Sequence, residues 1–307
     1  MSEYLKSTES APPLPAPSAN QPYVVVSALQ AGIIHIPVDL AIQGEARSHR
    51  KCPSLSFYLK HSASDKHLIF DLGLRKDWAS YPPMVQKHYG ELMPCEVPQS
   101  VEESCIKGGL DPALIKNVVI SHLHFDHIGD HTPFKNATFT IGGEGKSHLT
   151  DGYPGNPEAH FLAESTPPDR TKFLSMSDFA TSVGPFPYVH DFFGDGSVYI
   201  IHKPGHCAGH VNLLARTSAD GAWIYLGGDI AHDTRLVTDP NTDIATAAAD
   251  GSPYCMHRDP VQARIDIKRV RSLVRMPRVE FLIAHDWKWF EDNKDTAFLP
   301  GKIVPKA

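Results

Sequence analysis

Thiol chemistry has little to work with in this sequence. Five cysteines (Cys52, Cys95, Cys105, Cys207 and Cys255) are scattered over 307 residues with no Cys-x-x-Cys pair. That argues against a disulfide framework and a thiolate zinc site, and points to a reducing, cytoplasmic compartment. Long apolar runs are missing too: hydrophobic residues make up 41% of the chain, but no stretch approaches the roughly 18–20 residues of a membrane-spanning helix. Positive charge is not in excess, with 29 Lys and Arg against 35 Asp and Glu and a net charge of −6. The field that draws phosphate backbones is therefore absent, and neither nucleic acid nor membrane is expected as a partner. The start lacks the charged and then apolar segments of a secretory signal. Residues 1–22, rich in Ser, Pro and Ala, are expected to form a flexible leader.

Histidine is what the chain has in excess: 18 residues, of the type most often used as a metal ligand and the one that titrates near neutrality. Short β-branched or apolar runs bounded by Gly, Pro, Asp or Asn predict strands at Tyr23–Leu29, Ser54–Leu59, His67–Asp71, Asn117–Ser121, Ala137–Ile141, Val198–Lys203, Val211–Arg216, Ala222–Leu226 and Glu280–Ala284. The second and third of these read as a hairpin. One long helix is marked by Asp259 as cap, Pro260 at its first position, and Ala263, Ile267, Val270 and Val274 at helical spacing before Pro277. The pattern predicts one domain over residues 23–295 and a tail over 296–307. Residues 143–196, in which Gly, Pro and Ser dominate, are expected to be an enlarged loop region over a site.

Chemistry concentrates at the strand ends. Ser121-His122-Leu123-His124-Phe125-Asp126-His127 follows an apolar strand directly. Alternation in an extended segment turns His122 and His124 to one side, and the following turn brings Asp126 and His127 to an adjacent point, as two neighbouring metal ions require. Three more strands end in candidate ligands: Pro204-Gly205-His206-Cys207-Ala208-Gly209-His210, Gly227-Gly228-Asp229 and Ala284-His285-Asp286. Ligands on strand ends are held rigidly, and Gly205, Gly227 and Gly228 permit the tight turns.

Taken in order, HxHxDH, PGHxxGH, GGD and a late AH resemble the metallo-β-lactamase superfamily of binuclear metallohydrolases. The resemblance covers roughly Tyr23 to Phe290. It implies an αββα sandwich, two mixed β-sheets flanked by helices, with the site along one edge. Within the superfamily, GLDPALIKNVVISHLHFDHIGD and Phe70-Asp71-Leu72-Gly73 are most similar to the N-acyl homoserine lactone lactonases and relatives that open other small lactones or lactams. The resemblance further implies His122, His124 and His206 on one metal, Asp126, His127 and His285 on the other, and Asp229 bridging both. Asp71 resembles the structural Asp that orients ligands from behind. His210 reads as a supporting residue, His202 as a strand residue and Cys207 as a buried thiol.

His232 stands three residues after Asp229, where similar lactonases carry a Tyr that contacts the substrate oxygen. It is the candidate hydrogen-bond or proton donor, so the expected catalytic residues are Asp126, Asp229 and His232. The implied reaction is hydrolysis of a small cyclic ester or amide by a metal-bridging hydroxide, with a glyoxalase II-like thioesterase as the alternative. The all-nitrogen-and-oxygen ligand set makes two zinc ions the default cofactors and would also accept manganese, iron or cobalt. Trp287, Trp289 and Phe290 could line an apolar pocket or pack in the core. The expected partner is a small molecule, and the expected state a monomer or homodimer.

Overall fold

A computed structural model describes residues 11–307. Two six-stranded mixed sheets face one another. In the first, Val24–Leu29, Ser56–His61 and His67–Phe70 pair antiparallel, and Asn117–Val119, Thr138–Gly142 and Thr171–Leu174 then add in parallel. In the second, Thr181–Val183, Phe186–Asp191, Val198–His202, Val211–Arg216 and Trp223–Leu226 run antiparallel, and Val279–Leu282 closes the edge in parallel. A small third sheet joins Ile33–Pro37 to His49–Pro53 and Cys95–Glu96.

The period-two alternation of the strands builds the layers. Val24, Val26 and Ala28, with Leu68 and Phe70, meet Ile200, Leu213, Ala215 and Ile224 in the seam between the sheets. Ile69 and Val118 point the other way and share the outer core with Val101 and Cys105 of the helix Val101–Lys107. On the opposite side, Ala263, Ile267, Val270 and Leu273 of the helix Pro260–Val274 are buried. The Asp259 side chain accepts from the Val261 and Gln262 amides, 3.0 and 2.9 Å away, so the predicted cap and first-turn proline stand where expected. The architecture is the αββα sandwich, with mixed sheets and flanking helices.

The expected loop region 143–196 divides. Thr171–Leu174 extends the first sheet, and Thr181–Val183 and Phe186–Asp191 begin the second. These strands carry few buried apolar residues, so alternation does not mark them in the sequence. Only the stretch before Thr171 reaches over the site.

The expected tails are also corrected in part. Residues 1–10 of the leader lie outside the described residues, but Arg216, buried and 4.1 Å from the Trp223 ring centroid, donates from Nη2 to the carbonyls of Pro15 and Ala16. Gln21 Nε2 donates to the Asp195 carbonyl. Chain carbonyls thus satisfy one arm of the buried guanidinium, whose Nε donates to the Gly196 carbonyl. At the other end, the Ala28 amide donates to the Ala297 carbonyl, and Leu299 and Ile303 donate back to Ala28 and Val26 at 3.0 and 2.8 Å. The segment 296–307 therefore covers the outer edge of the first strand.

Deleting 296–307 removes those bonds, each worth about 0.5–1.5 kcal/mol, and uncovers a strand edge able to template association. The expected outcome is a Tm lower by roughly 5–10 °C, with oligomers in size-exclusion chromatography. Calorimetry on the truncated chain reads the first effect and chromatography the second.

Candidate metal centre

All seven expected ligands converge at one end of the sandwich, each on a loop that follows a strand. The His122 to His127 run follows Asn117–Val119, His206 follows Val198–His202, Asp229 follows Trp223–Leu226, and His285 follows Val279–Leu282. Close backbone approach explains the glycines. A side chain on Gly205 would lie 2.5 Å from the Ala263 amide, so the His206 turn packs directly on the first turn of the helix Pro260–Val274. Gly228 has a φ of +47° and leaves a Cβ only 3.0 Å from Ser121, in the left-handed region that favours glycine.

Two groups of ligand atoms form, each within 4.8 Å: His122, His124, His206 and Asp229, and Asp126, His127, Asp229 and His285. Asp229 belongs to both. Its Oδ2 lies 3.5 Å from His206 Nε2 and 3.8 Å from His122 Nε2, and its Oδ1 lies 3.1 and 3.2 Å from the Nε2 atoms of His127 and His285. Asp126 Oδ2 completes the second group, 3.6 and 3.5 Å from the same two nitrogens.

Hydrogen bonds on the far side of the rings set the tautomers. His127 Nδ1–H donates to Asp71 Oδ2 at 2.9 Å, His285 Nδ1–H donates to the Pro53 carbonyl at 2.9 Å, and His122 Nδ1–H donates to Ser121 Oγ at 3.0 Å. Ser121 in turn donates its amide and hydroxyl to Asp71. Each ring therefore turns its Nε2 inward, the orientation that outer hydrogen bonds impose on metal-binding histidines. His210 stands behind the centre: its Nδ1–H donates to the Lys203 carbonyl, and its Nε2 accepts the Asp229 amide at 3.3 Å.

The donor set fits cations. His122 Nε2, His124 Nδ1 and His206 Nε2 lie 2.8–3.1 Å apart, so three lone pairs face a space where one proton satisfies at most two. His127 Nε2 and Asp229 Oδ1 are buried without a hydrogen-bond partner. Burial and the neighbouring imidazoles hold His122 well below its ordinary pKa, and burial brings His124 down to about 3. Both therefore stay uncharged at neutral pH, with one ring nitrogen free to bind a metal. Burial also opposes charge on His127 and His285, but the carboxylates of Asp229 and Asp126 outweigh it and raise both. Burial works against the Asp229 carboxylate, yet His127, His285 and His232 hold it well below its usual range. Clusters of this composition in this fold imply divalent metal ions.

A largely apolar cleft opens onto the centre. His124, Asp126, His206, Asp229, His232 and His285 form its floor, and Ile34, Ile36, Val85, Tyr89, Met93, Phe125, Phe161, Tyr254 and Met256 form most of its walls. Among the described residues, no Lys or Arg lines it. Phe161 stacks between His124 and His148, at 13° and 19° to their planes. His232 Nε2 lies 3.3 Å from Asp229 Oδ2, and its ring is parallel to His285 within 12°.

Trp289 and Phe290 pack against the seam between the sheets, Trp287 stacks on Phe290, and none of the three lines the cleft. Cys207 is buried, and burial pushes its thiol up to about 12. His202 sits at a strand end 3.6 Å from Glu144. The sequence reading did not find Tyr89, Tyr254, Phe161 or His257. Val85, Tyr89 and Met93 repeat every four residues and could have marked the helix Pro83–Leu92. His257, buried beside His206 and His232, lies in no motif.

A family model of the metallo-β-lactamase superfamily matches residues 50–216. The chain belongs to that superfamily. It is similar to the γ-lactamase MBL2 of Gibberella moniliformis, 33% identical over 72% of this chain and 87% of that protein. It is also similar to the γ-lactamase FDB1 of Fusarium pseudograminearum, 36% identical over 58% of this chain. The matched part spans 45% of FDB1, about half the length of that relative. Among solved structures, an N-acyl homoserine lactone hydrolase with N-hexanoyl-L-homoserine at its catalytic metal centre superposes with a TM-score of 0.67. It is 16% identical and covers 91% of this chain and 98% of its own. At that identity the likeness is one of fold. Among the described residues, no helix is long and apolar enough to cross a membrane.

Proposed function

We propose that this protein is a binuclear metal-dependent hydrolase that opens a small, uncharged cyclic ester or amide. The observation that carries the reading is Asp229, whose two oxygens face the two ligand groups separately. His122, His124 and His206 would hold one ion, Asp126, His127 and His285 the other, and Asp229 both. Five imidazoles and two carboxylates suit zinc and would also hold manganese, iron or cobalt. Divalent ions there would acidify water and polarise a carbonyl.

The chain's own residues supply the rest. The apolar walls exclude bulk water and bury a ring. His232, on the cleft floor beside Asp229, is placed to donate a hydrogen bond or proton to the oxygen or nitrogen that leaves the carbonyl. Ring opening suits this layout because the leaving group stays tethered within reach of the same imidazole. The names of MBL2 and FDB1 as γ-lactamases support a cyclic substrate. Among the described residues neither Lys nor Arg lines the cleft, which disfavours glutathione thioesters, whose carboxylates would be buried without a cationic partner.

The test is a hydrolysis screen over γ-lactams, γ-lactones, N-acyl homoserine lactones, cyclic carbamates and glutathione thioesters, with metal content measured on the same sample. A ring substrate is expected to lead in kcat/KM by tenfold or more, about 1.4 kcal/mol of transition-state preference. A glutathione thioester leading by that margin would overturn the reading.

Asp71 receives the Ser121 amide and hydroxyl and the His127 ring, so it orients two ligands at once. Its φ of +62° is tolerated by asparagine. Asp71→Asn is therefore expected to keep the fold while weakening metal affinity about tenfold or more, read by competition with a chelator.

A further inference from the structure

We infer that His206, His232 and His257 form a third cation site, beside the two ligand groups that share Asp229. One ring nitrogen from each lies within 4.8 Å of the others. The rings close on one another, with centroids 4.9 Å apart for His206 and His232, 5.2 Å for His206 and His257, and 5.1 Å for His232 and His257. All three side chains are more than nine-tenths buried.

Unpaired ring nitrogens are concentrated in this cluster. The outer nitrogens of His122, His127 and His285 each have a hydrogen-bond partner. His206 Nδ1, His232 Nδ1 and both nitrogens of His257 have none, although all four are buried. Leaving a buried polar atom unsatisfied costs about 1–3 kcal/mol, so unpaired nitrogens on three rings that close on one small space call for a common partner. No carboxylate belongs to this group, and three imidazoles without an oxygen ligand select a borderline cation such as zinc, copper or nickel over magnesium or calcium. His206 would serve through Nδ1, because its Nε2 faces His122 and His124; with an ion on each nitrogen its ring would be an imidazolate, the Nδ1 proton being released to solvent.

Occupancy would draw the His232 ring toward His257. Resting on the hydrolase reading, it follows that excess cation inhibits turnover by taking His232 away from the leaving group. The stoichiometry of the site does not depend on that reading.

The experiment titrates the chelator-stripped full chain with zinc and counts bound ions by calorimetry and elemental analysis, for wild type, His257→Ala and His257→Phe. The phenyl variant preserves ring volume in case the alanine variant fails to fold. Wild type is expected to bind one more zinc than either folded variant, and inhibition by excess zinc is expected in wild type alone. Equal counts in wild type and a folded variant would overturn the site. A wild-type total below three with the difference intact would instead count against the binuclear reading and leave this site standing.

Discussion

Asp229→Ala is expected to lower kcat/KM by a thousandfold or more, about 4 kcal/mol of transition-state stabilisation, and to leave the chain unable to hold both ions. Asp229 is the one side chain shared by the two principal groups of ligand atoms. Its oxygens lie within 3.1–3.8 Å of four inward-facing imidazole nitrogens, on His122, His127, His206 and His285. Removing the carboxylate leaves Asp126 as the only anion among the remaining ligands, so two divalent ions a few ångström apart would repel with too little negative charge between them.

The fold is expected to survive. The His210 ring holds the Asp229 backbone amide, not the side chain, and the glycine turn that precedes the residue is untouched. Asp229→Asn separates charge from geometry: it keeps one oxygen donor and loses the anion, and is expected to retain more metal than the alanine variant while staying slow. Steady-state kinetics with elemental analysis checks both. Near-wild-type turnover in a metal-depleted alanine variant would sink the binuclear reading.

The site was legible in the sequence because each ligand sits within a few residues of the strand that positions it. Asn117–Val119, Val198–His202, Trp223–Leu226 and Val279–Leu282 are short, apolar and bounded by turn residues, and the liganding side chains follow directly. Local pattern and site chemistry coincide there. The strands Thr171–Leu174 and Thr181–Val183 were not legible, because they lie at sheet edges with mostly exposed or half-exposed side chains and lack the buried alternation that identifies a strand. The cleft walls were illegible for another reason. Val85, Phe161 and Tyr254 meet only through long-range packing, and nothing local distinguishes a wall from a core residue. The trio Trp287, Trp289 and Phe290 shows the converse, since aromatics close to a ligand in sequence pack away from the cleft. His257 combines both difficulties, being brought to the centre by the turn that leads into the helix Pro260–Val274 and belonging to no strand end.

His232→Ala is expected to lower kcat by roughly a hundredfold or more, the range in which a positioned proton donor contributes, while the ions between His122 and His285 stay bound. His232 reaches the cleft floor with Nε2 3.3 Å from Asp229 Oδ2, and stacks within 12° of His285. Its neighbour Asp233 is clamped by Arg50 and by the Nε and Nη2 of Arg235, and Arg235 also pairs with Glu45. The backbone at this position is thus pinned from two sides, and truncating the imidazole removes a donor without releasing the loop.

A loss confined to kcat, with KM little changed, marks an interaction made in the transition state rather than in substrate binding. His232→Tyr returns a hydroxyl donor to the same wall and is expected to recover part of the rate. Assays run without free zinc keep the third cation site out of the comparison, so a rate defect in the alanine variant reports the missing donor. If that variant turns over at the wild-type rate across the pH range with both ions bound, the proton reaches the leaving group through Asp229 or water, and His232 is a wall of the cleft.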